Sequence, residues 1–258
     1  MSEHNQEAVG QSNSPGGVSM FHDIDQSGAL CSLDYHTPEV EASLGSLENW
    51  FSLSRLHRYA AAARPSLLYI WNTRLSKAFL EDVGHVEVLL RNFIHDRLTR
   101  DCGRPDWYHE TNRYNLKLPF QKSLEKVEKR IEKRQGAAAT PDQVIAELSF
   151  DNWRFLLTQK HEVNIWKALI NLNNGGMPHY RSRNRADFES DVELIRQLRN
   201  RASHQEPLIL EAAPTTAETE QLDAYAAALE NTAARIDPDA AQWIIANSRV
   251  EAIRKHRP

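Results

Sequence analysis

This chain predicts an all-α fold, and three observations carry that expectation. Apolar residues recur every three or four positions along several long segments, the spacing of a helix face and not of a strand. Only 10 glycines punctuate the 258 residues, and β-branched residues nowhere cluster as strands require. Thr140-Pro141 and Asp237-Pro238 each pair a capping oxygen with proline at the first helical position. The expected architecture is one bundle of about eight helices over residues 45–258.

Residues 1–44 are rich in Ser, Gly, Asn, Gln and acids and lack periodicity, so a disordered tail is expected there. Residues 1–48 hold eight acids and no Lys or Arg, whereas 49–210 holds 26 basic against 19 acidic residues. A mildly basic body behind an acidic tail is compatible with RNA as a partner without requiring it. No apolar run approaches the ~20 residues of a membrane span, so no membrane is expected as a partner. The first ten residues, MSEHNQEAVG, lack the basic and apolar regions of a signal peptide. Two cysteines, Cys31 and Cys102, make no framework, and a cytoplasmic protein without a disulfide is expected.

The elements follow in order. Leu47, Phe51 and Leu53 lead into Leu56, Tyr59 and Ala60, and Arg64-Pro65 breaks this first segment. A long helix is expected from about 66 to 100, its stripe running through Trp71, Leu75, Phe79, Val83, Val86, Leu90 and Ile94. Glu87 and Arg91 stand four apart on it with Asn92 beside them; by spacing alone they read as an ordinary ion pair. Residues 102–119 read as a loop whose Trp107 and Tyr108 either pack on the bundle or stack on bases. Phe120, Leu124, Val127 and Ile131 mark a charged helix that Gly136 ends. Thr140 and Gln143 make a capping box. Another helix is expected over about 161–172, stopping at Asn174-Gly175-Gly176. Arg181, Arg183 and Arg185 fall in a polar linker, 178–187, and are candidates for phosphate contacts. A helix after Pro214 and a last one after Asp237-Pro238 complete the bundle.

The stretch that carries chemistry is 191–207, DVELIRQLRNRASHQEP. Val192, Ile195, Leu198 and Ala202 form its apolar stripe, extended back by Phe188. Arg196, Arg199 and Arg201 crowd the segment with Asn200, Ser203 and His204. Pro207 disfavours helix at Glu206, so His204 falls in or just past the last turn. Asn200 and His204 share one side of the helix. Arg199 and His204 diverge by about 140° round an ideal helix. They meet only through the long arginine chain, a loosened last turn, or a second copy of the helix. An imidazole can take a proton from a ribose 2′-hydroxyl or give one to a leaving 5′-oxygen. A guanidinium can stabilise charge growing on a phosphate. The set suffices for metal-free cleavage of RNA. The same residue types near a helix C-terminus also complement the macrodipole and its free carbonyls.

Arg199 through His204 matches the R-N-x-x-x-H form of the HEPN motif. The surrounding residues, Ile195 onward to Pro207, resemble the Abi-like (abortive infection) branch of that superfamily, which typically reads L-R-N-R-hydrophobic-A-H-H-E-P. Here Ser203 precedes a single histidine, and Gln205 stands where the second is usual. Trp71-Asn72, Leu75-Ser76-Lys77-Ala78 and Gly84-His85-Val86-Glu87 through Leu90-Arg91-Asn92 resemble the first core helix of that branch. Ala146-Glu147-Leu148-Ser149-Phe150 with Trp153, and Ile236-Asp237-Pro238 with Trp243-Ile244 and Ser248-Arg249-Val250, are similar to later segments of it. The resemblance covers roughly 46–257, in order.

What it implies is a HEPN-type helical bundle. Arg199, His204 and Asn200 would be catalytic, with Glu87, Arg91 and Asn92 lining the same site. Arg196 and Arg201 join the linker arginines as candidates for holding RNA. The implied activity is a metal-independent endoribonuclease of an abortive-infection or toxin type that leaves a 2′,3′-cyclic phosphate. Homodimers with a composite site are implied, and an antitoxin protein or small RNA is a further candidate partner. The alternatives are a HEPN-fold RNA binder that does not cut, and a toxin active only with such a partner. There is no H-E-x-x-H, Cys pair, Walker A loop, G-x-G-x-x-G or nucleophile elbow, so neither metal nor cofactor is expected.

Overall fold

Proline at the first helical position opens the longest element of the computed structural model, α3 (Pro65–Cys102), and Gly103 in the left-handed region closes it. The structure describes residues 41–258. The tail expected over 1–44 lies almost wholly outside them, and so does Cys31; Cys102 is a free thiol. α1 (Leu44–Phe51), capped by the Ser43 hydroxyl, and α2 (Leu53–Leu56) precede α3. α3 buries Trp71, Leu75, Phe79, Val83, Val86, Leu90 and Ile94, the stripe read from the sequence.

Then come α4 (Leu118–Gln135), α5 (Pro141–Glu147), α6 (Phe150–Leu156), α7 (Lys167–Leu169), α8 (Arg185–Ser203), α9 (Thr216–Ile236), α10 (Pro238–Asn247) and α11 (Val250–Arg254). The capping box at Thr140 and the Asp237 cap form as expected. All regular structure among the described residues is helical. No helix there is long and apolar enough to cross a membrane.

Eleven α-helical segments among the described residues replace the expected eight or so, because the chain breaks between α1 and α2, between α5 and α6 and between α10 and α11. The helix expected over 161–172 is instead a 3₁₀ turn (Gln159–His161), a π turn (Glu162–Trp166) and α7. His161 is fully buried with its Nδ1 3.1 Å from the Tyr114 carbonyl. The Trp166 indole donates to the Arg183 carbonyl at 3.1 Å. These bonds fix the path, and the wider turn follows it. Just beyond, any Cβ at Gly176 would lie 2.6 Å from the Leu169 carbonyl oxygen, so only glycine passes there. At the C-terminus the chain turns at Ser248 and lays α11 on α3, where the Trp71 indole donates to the Ile253 carbonyl at 2.7 Å.

The aromatics of 102–119 pack inward. Trp107 and Tyr114 are buried edge to face, and Trp107 donates to His95 Nδ1 at 3.1 Å. α3 forms the middle of the core, against α8, α9 and α11, and α8 lies between α6 and α9. α8 is held by burial of Phe188, Val192, Ile195, Leu198 and Ala202, at roughly 1.5–3 kcal/mol for each large apolar side chain.

Candidate functional site

α8 starts earlier than the sequence suggests. The Asn184 side chain accepts from the Ala186 and Asp187 amides, so Arg185 is the first residue of the helix and not part of a linker. Its guanidinium donates to the Leu157 carbonyl at 2.9 Å and pairs with Glu189 and Glu162. That withdraws Arg185 from the exposed cluster expected with Arg181 and Arg183. Arg181 is exposed. Arg183 sits at φ 47 with a buried, unpartnered Nε. At 1.5 Å per residue, Arg185 stands about 21 Å along the axis from Arg199, so one phosphate cannot touch both.

Two more arginines are engaged within the chain. Arg196 donates to Glu193 at 2.7 and 3.0 Å, and Arg154 of α6 stands 2.9 Å from the same carboxylate. Arg201 donates to the Tyr225 hydroxyl of α9 at 3.2 Å and to the Pro207 carbonyl. Arg201 therefore clips the chain that follows the motif to the next helix.

The end of α8 is a Schellman closure. The Glu206 amide donates to the Arg201 carbonyl at 2.8 Å, and the Gln205 amide to Ala202 at 3.2 Å. Gln205, at φ 59, takes the left-handed position usually given to glycine. His204 is the C-cap residue, exposed, with its amide still bonded to the Asn200 carbonyl at 3.0 Å. The last turn is therefore regular, and the angle between Arg199 and His204 persists. Beyond the closure, the Leu208 and Ile209 amides donate to the buried Asn72 side chain at 2.8 and 3.4 Å.

Against this background three side chains stand out. Those of Arg199, Asn200 and His204 make no hydrogen bond or ion pair among the described residues. Arg199 faces Glu87 of α3. Burial pushes the Glu87 carboxyl above its usual range, while Arg199, and then Arg91, pull it back. Glu87 does not form the ordinary pair with Arg91. Arg91 donates instead to the Ala146 carbonyl at 3.2 Å, and its Nε is buried without a partner. Asn92 is exposed beside them. The structure thus collects Glu87, Arg91 and Arg199 between α3 and α8. His204 stands five residues farther, at the helix end.

Three supporting residues are given no such role by the sequence. Glu193 was legible in principle, since it lies three before Arg196 on one face. Asn72 and Tyr225 were not, because their partners lie 136 and 24 residues away. Among the described residues no group of three His, Cys, Asp or Glu side chains is placed to hold a metal ion. Comparison with family models, with curated proteins and with solved structures finds no match to this chain.

Proposed function

We propose that this chain is a HEPN-type endoribonuclease of an abortive-infection or toxin type, cutting RNA without a metal as a homodimer. One observation carries the reading. On a helix whose Arg185, Arg196 and Arg201 are engaged in the fold, Arg199, Asn200 and His204 keep uncommitted side chains. Arg199 also lies near the half-buried Glu87 carboxylate, whose opposite charge favours it there.

The chemistry runs in one step. His204 takes the proton of a ribose 2′-hydroxyl, and that oxygen bonds to the adjacent phosphorus. The bond from phosphorus to the 5′-oxygen breaks, and an imidazolium returns a proton to the leaving oxygen. Arg199 stabilises the charge on the phosphate, and Asn200 donates to a non-bridging oxygen. Glu87 and Arg91 orient Arg199. The regular last turn keeps Arg199 and His204 of one copy apart, so the pair that meets a phosphate comes from two copies of α8 across a two-fold axis.

Incubation of total RNA with the purified protein in EDTA, with mapping of fragment ends, tests this. The expected ends are 2′,3′-cyclic phosphates, and His204→Ala lowers cleavage by ~10²–10⁴-fold. Cleavage that EDTA stops, or that survives loss of His204, overturns the mechanism. RNA bound but uncut favours the non-cleaving binder. Light scattering should report the mass of a dimer.

A further inference from the structure

A cavity of about 170 Å³ lies among α3, α9, α10 and α11 and shares no residue with the α3–α8 site. It is large enough for a single aromatic ring, since engineered cavities of ~150 Å³ take up benzene. Its walls are the buried side chains of Phe79, Leu229, Ala233, Ile244 and Val250. One ionisable group is set into them. Asp82 of α3 is only 7% exposed. Its Oδ2 accepts from the Ser248 hydroxyl at 2.6 Å, and Ser248 Oγ in turn accepts from the Val250 amide at 3.2 Å. Oδ1 has no hydrogen bond among the described residues.

A carboxylate set in apolar walls, with one oxygen open and free of a protein donor, offers that oxygen to a cation or donor. His85 and Arg249 are the basic groups whose charge acts on Asp82. Arg249 donates to Glu81 at 2.9 Å, and Arg254 pairs with Asp223 at 2.5 Å. The exposed carboxylates Glu230 and Glu251 line the outer end and add negative potential there. A small molecule that suits this chamber has an apolar ring to replace the missing wall contacts and one protonated nitrogen to reach Oδ1.

We propose that this cavity binds a small arylalkylamine, its ring among Phe79, Leu229 and Ile244 and its ammonium on Asp82. The test uses the full chain with benzylamine as probe and benzyl alcohol as its uncharged counterpart, followed by amide chemical shifts. Benzylamine should bind saturably, shifting Ala233 and Ile244, about tenfold more tightly than the alcohol, since a charge-assisted bond replaces a neutral one. Asp82→Asn keeps an acceptor for Ser248 and should remove that preference. Ala233→Phe should fill the chamber and abolish binding of both. No saturable binding of benzylamine at millimolar concentration, or equal affinity for the two probes, overturns the proposal. That comparison uses the natural chain, so it decides the matter even if a variant fails to fold. An unchanged affinity in folded Asp82→Asn overturns it as well.

Discussion

Replacing Glu193 by glutamine should weaken the hold of α6 on α8 by an amount that depends on pH. Glu193 accepts from Arg196 at 2.7 and 3.0 Å and from Gln197 at 3.2 Å, and Arg154 stands 2.9 Å away. The Arg196 hydrogen bonds are the main cause that holds its carboxyl at about 2, below the ordinary 4.5. At about 1.4 kcal/mol per pH unit, that gap is worth at most ~3.5 kcal/mol. The side chain is 25% exposed, and solvent screening brings the expected figure to ~1–2 kcal/mol. A carboxyl depressed on folding stabilises the protein above its unfolded pKa and loses that contribution as pH falls through its folded one. The window therefore runs downward from 4.5 to about 2, and roughly half of the effect is gone at pH 3. Urea denaturation of the natural protein and Glu193→Gln at pH 7 and pH 3 measures it. The difference should be ~1–2 kcal/mol at pH 7, about half that at pH 3, and smaller in high salt. A difference indifferent to pH would refute the electrostatic account and place the loss in packing. No difference at pH 7 would show that the network contributes nothing.

Arg201→Ala should cost ~1.5–3 kcal/mol, the worth of charged hydrogen bonds, and should speed amide exchange at Glu206 and Leu208; unchanged exchange there would mean that the clip holds nothing. Burial raises the Asp82 carboxyl, so its contribution to stability is present at low pH and lost as pH rises through its folded value. Asp82→Asn should remove that loss, making the variant relatively more stable toward neutral pH in thermal melts. Gly84 is an exposed glycine inside α3, and a Cβ there would meet nothing within 4 Å. Gly84→Ala should therefore gain roughly 0.5–1 kcal/mol from the unfolded chain's lost freedom; a loss in thermal melts would mean that something packs against this face.

Much of this protein is written in interactions that reach one or two helical turns. The stripe from Trp71 to Ile94, Pro65 and Gly103 at the ends of α3, the Thr140 capping box and the Asp237 cap are all local, and each appears where the residues indicate. The position of His204 at the end of α8 was legible for the same reason, since Pro207 acts on the turn before it. Which arginines stay uncommitted was not. Arg196 and Arg199 are three residues apart and chemically identical, yet one turns to Glu193 beside Arg154 of α6 while the other faces Glu87 of α3. Arg185 and Arg201 likewise find carbonyls and a tyrosine that no spacing rule points to. Helical periodicity tells which side of α8 an arginine occupies, but not which neighbouring helix covers that side or what it carries. The same holds for the path of 159–169, where bonds to Tyr114 and Arg183 override the local helical pattern. Caps and stripes are set by neighbours in the chain; the partner of a long charged side chain is set by whichever helix packs within its reach, and only the tertiary structure decides that.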